Sequence, residues 1–328
     1  MDIRRFTPDD TDTVRAVVDL TNAVRRADAP FQHDTTLSDL TGYLRHGWDG
    51  EVPETYAGWE GDRVVGSVAV HTGEWDNTHL AWVDPVVHPD RRRGGRGSEL
   101  LRFGADRSRE LGRTSLGTDA WEAPHVFGFT GKHDLPQKSA AIMRRMTLAR
   151  VDRELLDKLY DEAAPAAASY ELVRLVGRTP ADLLPAVAEM TAAINDAPTD
   201  DLDIEDEVFP VERIIAYETA QAARARTMYR VLARHRETGE LAGHTVVCVE
   251  RERPHIGAQH DTSVVRAHRG HRLGLLLKAD MVRWLAETEP GLETIDTWNA
   301  ESNEHMIGVN AALGYEVMGR GLQFQRDL

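Results

Sequence analysis

The sequence predicts two tandem copies of a mixed α/β domain, an α+β arrangement in which helices pack on a mixed sheet, and three observations carry this expectation. Residues 91–101 read RRRGGRGSELL and residues 268–278 read HRGHRLGLLLK; Arg92 and Arg269, Gly97 and Gly274, and Gly66 and Gly243 all stand 177 positions apart in matching local patterns, the mark of an internal repeat. Strand-like and helix-like periodicities follow one another in the same order in both halves. Between them the Ala-rich stretch Asp161–Ser169, with Pro165 inside it, reads as a linker. The expected domains are therefore 1–160 and 170–328, joined by 161–169.

Each half opens on a strand, DIRRF or YELVRLV, followed by a polar helix start for which Asp10 or Thr179 is the expected cap, the latter with Pro180 at the first helical position. Two strands meeting at a tight turn come next, ETYAGWEGDRVVGSVAVH in the first half and TMYRVLARHRETGELAGHTVVCVE in the second. A third strand, HLAWVDPVV or AQHDTSVV, runs into the Arg/Gly loop and a helix, and a further strand, TSLGTDAW or LETIDTWNA, follows. In the second helix Leu273, Leu277, Met281 and Trp284 recur at helical spacing and form one apolar stripe for the sheet.

Composition narrows the function classes. The 328 residues are 41% hydrophobic, enough for two sizeable cores. The charged start MDIRRFTPDD and the lack of any long apolar run predict a soluble, cytoplasmic protein with no membrane segment. A formal charge of −15 argues against a nucleic-acid partner and favours a cationic or neutral one. The single cysteine, Cys248, is expected to be a buried apolar residue. His268 and His271 share a loop but lack further ligands in pattern, so no metal site is expected.

A strand, a Gly-bearing turn and a helix N-terminus place several unpaired backbone N–H groups around one point, where the helix dipole favours an anion. Glycine lets a phosphate approach the backbone, and arginines add countercharge. Arg92, Arg93, Gly94, Gly95, Arg96, Gly97 and Ser98 meet this description in the first half; Arg269, Gly270, His271, Arg272, Leu273 and Gly274 repeat it. The plain alternative is a solvated helix entry.

Val87, Pro89, Arg92, Gly95 and Gly97 match the signature of the GCN5-related N-acetyltransferase family, which this sequence resembles over nearly the whole of both halves. The second half matches at Val264, Arg269 and Gly274, with Arg266 in place of the proline and Arg272 in place of the first motif glycine. NEHMIGVNAALGY, Asn303–Tyr315, resembles the family's later helix ending in Leu-Gly-Phe/Tyr. The resemblance implies a tandem acetyltransferase whose loops hold acetyl-CoA, with Val87, Val264, Val265 and Asn303 completing the cofactor contacts. It also implies direct attack of an amine on the thioester, with no covalent nucleophile. Arg272 need not abolish the turn if its φ stays negative, and its guanidinium could reach a phosphate, so the second half, which keeps the later helix in good form, is the expected catalytic one and the first a cofactor-binding or structural partner.

Many relatives carry a tyrosine four residues before the glycine of that last motif, acting as general acid; Asn310 stands there, and an amide cannot serve as that acid, although it can hydrogen-bond the cofactor. The family's usual base is a carboxylate on the strand before the loop, and QHDTSVV offers His260 and Asp261, which strand alternation would place on opposite faces. The region between the first two helices shapes the acceptor site in the family. Here it is TDDLDIEDEVFP, whose Asp203, Glu205 and Asp206 would select a small-molecule amine. Two alternatives stay open: a transferase like mycothiol synthase, which shares the tandem architecture, and a non-catalytic acyl-CoA-binding or interaction protein.

Overall fold

The computed structural model describes residues 1–328. In chain order the elements are β1 (Asp2–Arg5), α1 (Thr11–Asp28), α2 (Leu37–His46), β2 (Glu54–Glu60), β3 (Arg63–Thr72), β4 (Leu80–Val87), α3 (Arg96–Glu110), β5 (Ser115–Trp121), α4 (Pro124–Lys132) and β6 (Gln137–Thr147). They continue with α5 (Arg153–Ala163), β7 (Tyr170–Val176), α6 (Leu184–Thr191), α7 (Val211–Ala223), β8 (Arg226–His235), β9 (Leu241–Glu250), β10 (Ile256–Val264), α8 (Leu273–Thr288), β11 (Thr294–Ala300), α9 (Glu304–Ala312) and β12 (Glu316–Asp327). No helix is long and apolar enough to cross a membrane.

Two compact units result. The first comprises Met1–Ala141, Thr199–Glu207 and Gly319–Leu328, and the second Ile142–Pro198 and Val208–Met318. The boundaries thus fall inside β6 and β12, and the 161–169 stretch expected as a linker closes α5 and turns through a short 3-10 helix, with Ala163 and Ala167 buried in the second core.

Inside the first unit β1, β2, β3 and β4 pair antiparallel in order, β5 joins β4 in parallel, and β12 lies antiparallel on the far edge of β5. Inside the second, β7, β8, β9 and β10 repeat that ladder and β11 joins in parallel. Each sheet has two covered faces. Leu100, Leu101 and Ala105 of α3 pack on Val68, Val70, Ala81 and Val83, while Val14, Val17 and Leu44 of α1 and α2 cover Ala57 behind. The predicted stripe of α8, Leu273, Leu277, Met281 and Trp284, is buried against Val231, Val247 and Ile295, and α6 and α7 close the other face through Val187, Met190 and Ile214. Truncating a fully buried leucine such as Leu277 to alanine costs about 2–5 kcal/mol.

The parallel strands part early in both units. β4 and β5 pair only over Leu80–Trp82 with Ser115–Gly117, and β10 and β11 only over Ile256–Ala258 with Thr294–Asp296. Two expected caps behave differently. The Asp10 carboxylate accepts the Thr7 backbone N–H and hydroxyl instead of a helix N–H. Helix α6 begins at Leu184, beyond Pro180, because the Thr179 hydroxyl is taken by the buried pair Glu218 and Arg230.

Candidate functional site

Both Arg/Gly loops use two left-handed residues, and these fall at matching positions of the repeat. In the first loop they are Arg93 (φ 64°) and Gly95 (φ 84°); in the second they are Gly270 (φ 86°) and Arg272 (φ 55°). Arg272 therefore does not keep the negative φ expected of it: it occupies the strained conformation of the glycine it replaces, because the helix entry fixes the backbone there. The first motif arginines also share one job. Arg92 donates from Nε to the Val87 carbonyl and pairs bidentately with Asp28 at 2.7 and 2.6 Å, and Arg269 donates to the Val264 carbonyl and pairs with Asp196 at 2.5 Å. Both are tied to a carboxylate and fasten the strand end, so they offer little countercharge to a ligand.

The surroundings of the two loops differ. In the first, a side chain at Gly97 would meet the Phe129 ring at 3.1 Å. The Ser98 hydroxyl is bound by His133 at 2.7 Å and by Lys132 at 3.1 Å, and Arg96 is held by Glu60 and the Arg91 carbonyl, so α4 packs on the entry of α3. In the second, Gly270, Gly274 and Gly308 face open space. A groove of about 800 Å³ opens there between the end of β10 (Thr262, Ser263, Val264), the loop, the first turn of α8 and the α9 residues Met306, Val309 and Ala312. The first intrahelical bond of α8 runs from Leu276 to the Arg272 carbonyl, which leaves the N–H groups of Leu273, Gly274 and Leu275 at its open end. Asn303 caps α9 by accepting from the Met306 N–H at 3.2 Å. His271 is drawn to the Ala166 carbonyl and Arg272 to Glu162, while Val265 packs under α6.

Residues 20–126 match the family model described as Acetyltransferase (GNAT) family. This stretch is thus similar to the GNAT family. Across 99% of this chain and 98% of the other, the structure aligns with a tandem GNAT protein from the clavulanic acid biosynthesis pathway, solved without acetyl-CoA, at 26% identity and TM-score 0.82. It shares its fold with a GCN5-related N-acetyltransferase from Sphaerobacter thermophilus (15% identity, TM-score 0.69, 99% and 95% covered). The same fold appears in the glucosamine N-acetyltransferase region of a fungal multi-domain β-N-acetylglucosaminidase (12%, 0.66, 99% and 38%). A comparison with curated proteins finds no match. Both units of this chain are thus copies of the GNAT fold.

On the other side of the second GNAT sheet, the alternation expected of His260 and Asp261 is broken by a β-bulge: three steps along β10 from Gln259 to Thr262 oppose two along β9. Both residues act on Tyr217, whose hydroxyl contacts His260 Nδ1 at 2.5 Å and is pushed up by burial and by the charges of Cys248 and Asp261. Burial holds His260 well below its usual range, with Arg226 and Arg224 adding to the effect, so its ring is neutral. Burial raises the Asp261 carboxyl, and the Arg230 charge opposes that rise. Cys248 is buried as expected, its thiol pushed up to about 12. Asn310 is fully buried; its amide donates to Asn299 at 2.6 Å, and its own oxygen has no partner.

The acidic stretch lies elsewhere. Thr199–Glu207 is part of the first unit, where the Asp203 N–H donates to Gln325, Asp203 pairs with His79 at 3.4 Å, and Glu205 exchanges two bonds with Asn77. The second-half loop residues and Asn303 line one groove of the second unit, while Asp203 and Glu205 make their bonds within the first. The structure also reveals a cluster that sequence reading passed over, Tyr43, His71, Trp82, Asp84 and Asp119 in the first unit. One signal was present: Asp84 precedes Asp261 by the repeat offset of 177.

Proposed function

We propose that this protein is an acetyl-CoA-dependent N-acetyltransferase acting on the primary amine of a small metabolite, with the donor bound by the second unit. The open groove at the start of α8 carries this reading, because its parts fit the donor. The free N–H groups of Leu273, Gly274 and Leu275 suit a pyrophosphate, and the half-exposed Arg272 side chain supplies charge beside them. The apolar wall of Leu275, Met306, Val309 and Ala312 suits the pantetheine arm, and Ser263 presents a buried hydroxyl that has no protein partner. Acetyl-CoA supplies an acyl group already activated as a thioester.

Asp261 is the residue assigned to take the proton from the attacking amine: burial brings its carboxyl upward, nearer to the range in which a general base works at neutral pH. The Tyr217 hydroxyl shares a hydrogen bond with Nδ1 of neutral His260 and holds the bulged segment in place. The Asn310 amide binds and orients without moving a proton. A small cationic acceptor also agrees with the formal charge of −15.

Native mass spectrometry with acetyl-CoA, paired with coenzyme A release over a panel of small primary amines, tests the reading. Binding with amine-dependent release is expected. Binding without turnover on any amine would leave an acyl-CoA-binding protein, and no binding at saturation would remove the assignment.

A further inference from the structure

A string of hydrogen bonds runs from inside the second core to the donor groove, and it has a direction. At its inner end the fully buried Lys278 of α8 donates from Nζ to Gln259 Oε1 at 3.3 Å. That bond fixes the Gln259 oxygen, and the Val246 carbonyl, 2.6 Å from Nε2, fixes its nitrogen, so the amide cannot be turned round. One Nε2 hydrogen goes to that carbonyl. The other goes to the nearest remaining acceptor, Thr245 Oγ1 at 3.0 Å, with the His260 carbonyl at 3.3 Å behind it.

Thr245 is itself fully buried, and its hydroxyl meets Thr262 Oγ1 at 2.7 Å. Its own hydrogen has that one acceptor, because its other partner, the Gln259 amide nitrogen, is a donor. A buried hydroxyl does not leave its hydrogen unpaired when an acceptor is in reach. Thr245 therefore donates and Thr262 accepts. The Thr262 hydrogen is then left without an acceptor in the protein, and Thr262 lies on the wall of the groove.

The fold does not require these groups. Val68, Pro85 and Leu101 stand 177 positions before Thr245, Thr262 and Lys278. The registers agree, since Val68 pairs with Pro85 as Thr245 pairs with Thr262. Val68 and Leu101 fill the first core with no polar atom to satisfy. Placing an amine, an amide and a hydroxyl in the corresponding space costs stability unless the resulting bonds are used.

We propose that Thr262 is a further catalytic residue of the second unit: its hydroxyl, aimed by Thr245, Gln259 and Lys278, donates a hydrogen bond to the coenzyme A sulfur. The inference rests on the donor reading of the α8 groove. With the pyrophosphate at the α8 entry, the sulfur end runs back along β10, and Thr262 is the β10 residue of the groove wall furthest from that entry in the sequence. The hydroxyl steadies negative charge on sulfur and gives up no proton, because an amide such as Gln259 interrupts any relay behind it. This supplies a donor for the leaving sulfur in a site where Asn310 cannot act as an acid. The first unit lacks the device, since Pro85 offers neither a hydroxyl nor an N–H.

The test is carbon-13 NMR of coenzyme A labelled at the carbon bonded to sulfur, bound to the full chain and titrated with pH; it reads the thiol directly and needs no acceptor amine. The bound thiol pKa is expected to lie about one unit or more lower in the wild type than in Thr262→Val, the scale of a hydrogen bond to a charged group. Thr262→Ser, which keeps the hydroxyl, should return the wild-type value. Valine keeps the branched shape of threonine, and coenzyme A binding by each variant shows that the fold is retained. Equal thiol pKa values in wild type and Thr262→Val, or no recovery in Thr262→Ser, overturn the role of Thr262 and leave the donor groove standing. A wild type that binds no coenzyme A removes both.

Discussion

The two Arg/Gly loops share a backbone and differ in nearly everything that backbone is used for. Each needs two left-handed residues, and each supplies one glycine and one arginine, in opposite order: Arg93 then Gly95, Gly270 then Arg272. The first loop matches the family signature fully yet has Phe129, Lys132 and His133 packed on its helix entry. The second has lost a signature glycine yet opens on the 800 Å³ groove. A motif glycine reports the torsion angle of one residue. Room for a ligand is decided by what the next helix lays across the loop.

The strongest way to break this contrast is a carboxylate at the third shared position. Gly274→Glu places a negative charge in open space among the free N–H groups of α8 and should weaken acetyl-CoA binding by about 100-fold or more, the scale of losing charge-assisted hydrogen bonds. Gly97→Glu should instead collide with Phe129 and lower the unfolding midpoint while leaving most acetyl-CoA binding intact. Calorimetric titration of both variants decides, and an equal loss in both would erase the distinction.

A second comparison lies one turn further along the helices, where the fully buried Lys278 stands at the repeat position of Leu101. Burial lowers the Lys278 amine to about 7 from 10.5. Between those values the unfolded chain holds a proton that the folded chain has released, so stability should rise with pH by up to ~1.4 kcal/mol per unit. Lys278→Leu should flatten that slope in urea unfolding followed from pH 6 to 10.

Phe129→Ala sharpens the contrast from the other side. It should cost about 1–3 kcal/mol of stability and free the entry of α3, raising the acetyl-CoA count per chain by one in native mass spectra. An unchanged count would mean that Ser98, His133 and Lys132 close the loop without it. The smallest effects belong to strain. Arg272→Gly and Arg93→Gly should each stabilise the protein by roughly 0.5–1 kcal/mol, because relief of the left-handed penalty exceeds the added chain entropy. Gly270→Ala and Gly95→Ala should destabilise it by about 1–2 kcal/mol, measured by the same unfolding curves.

Local features were legible in the sequence wherever periodicity or repetition encodes them. The offset of 177 matched the two loops, and local periodicity located the strands YELVRLV and TSLGTDAW and the stripe of α8, because each is set by nearest-neighbour patterning. The bulge in β10 left no such mark. AQHDTSVV contains no glycine, and the extra residue shows only against the register of β9. Residues Asp203 and Glu205 read as a loop over the second site because their partners, Gln325 and Asn77, are more than a hundred positions away. The Tyr43–His71–Asp84–Asp119 cluster draws on α2, β3, β4 and β5 at once, and only strand pairing together with the packing of α2 assembles it.

The strand β12 carries a consequence for how this chain is made. Seven residues of it, Gly321–Asp327, pair with β5 inside the first unit. A ribosome building the protein completes nearly the whole of the second unit before it releases the strand that finishes the first. Until then the edge of β5 stands open as a template for any extended segment nearby. The nascent first half, already equipped with its own loop and with Asp84 and Asp119, must wait until β12 has been made to become a closed domain.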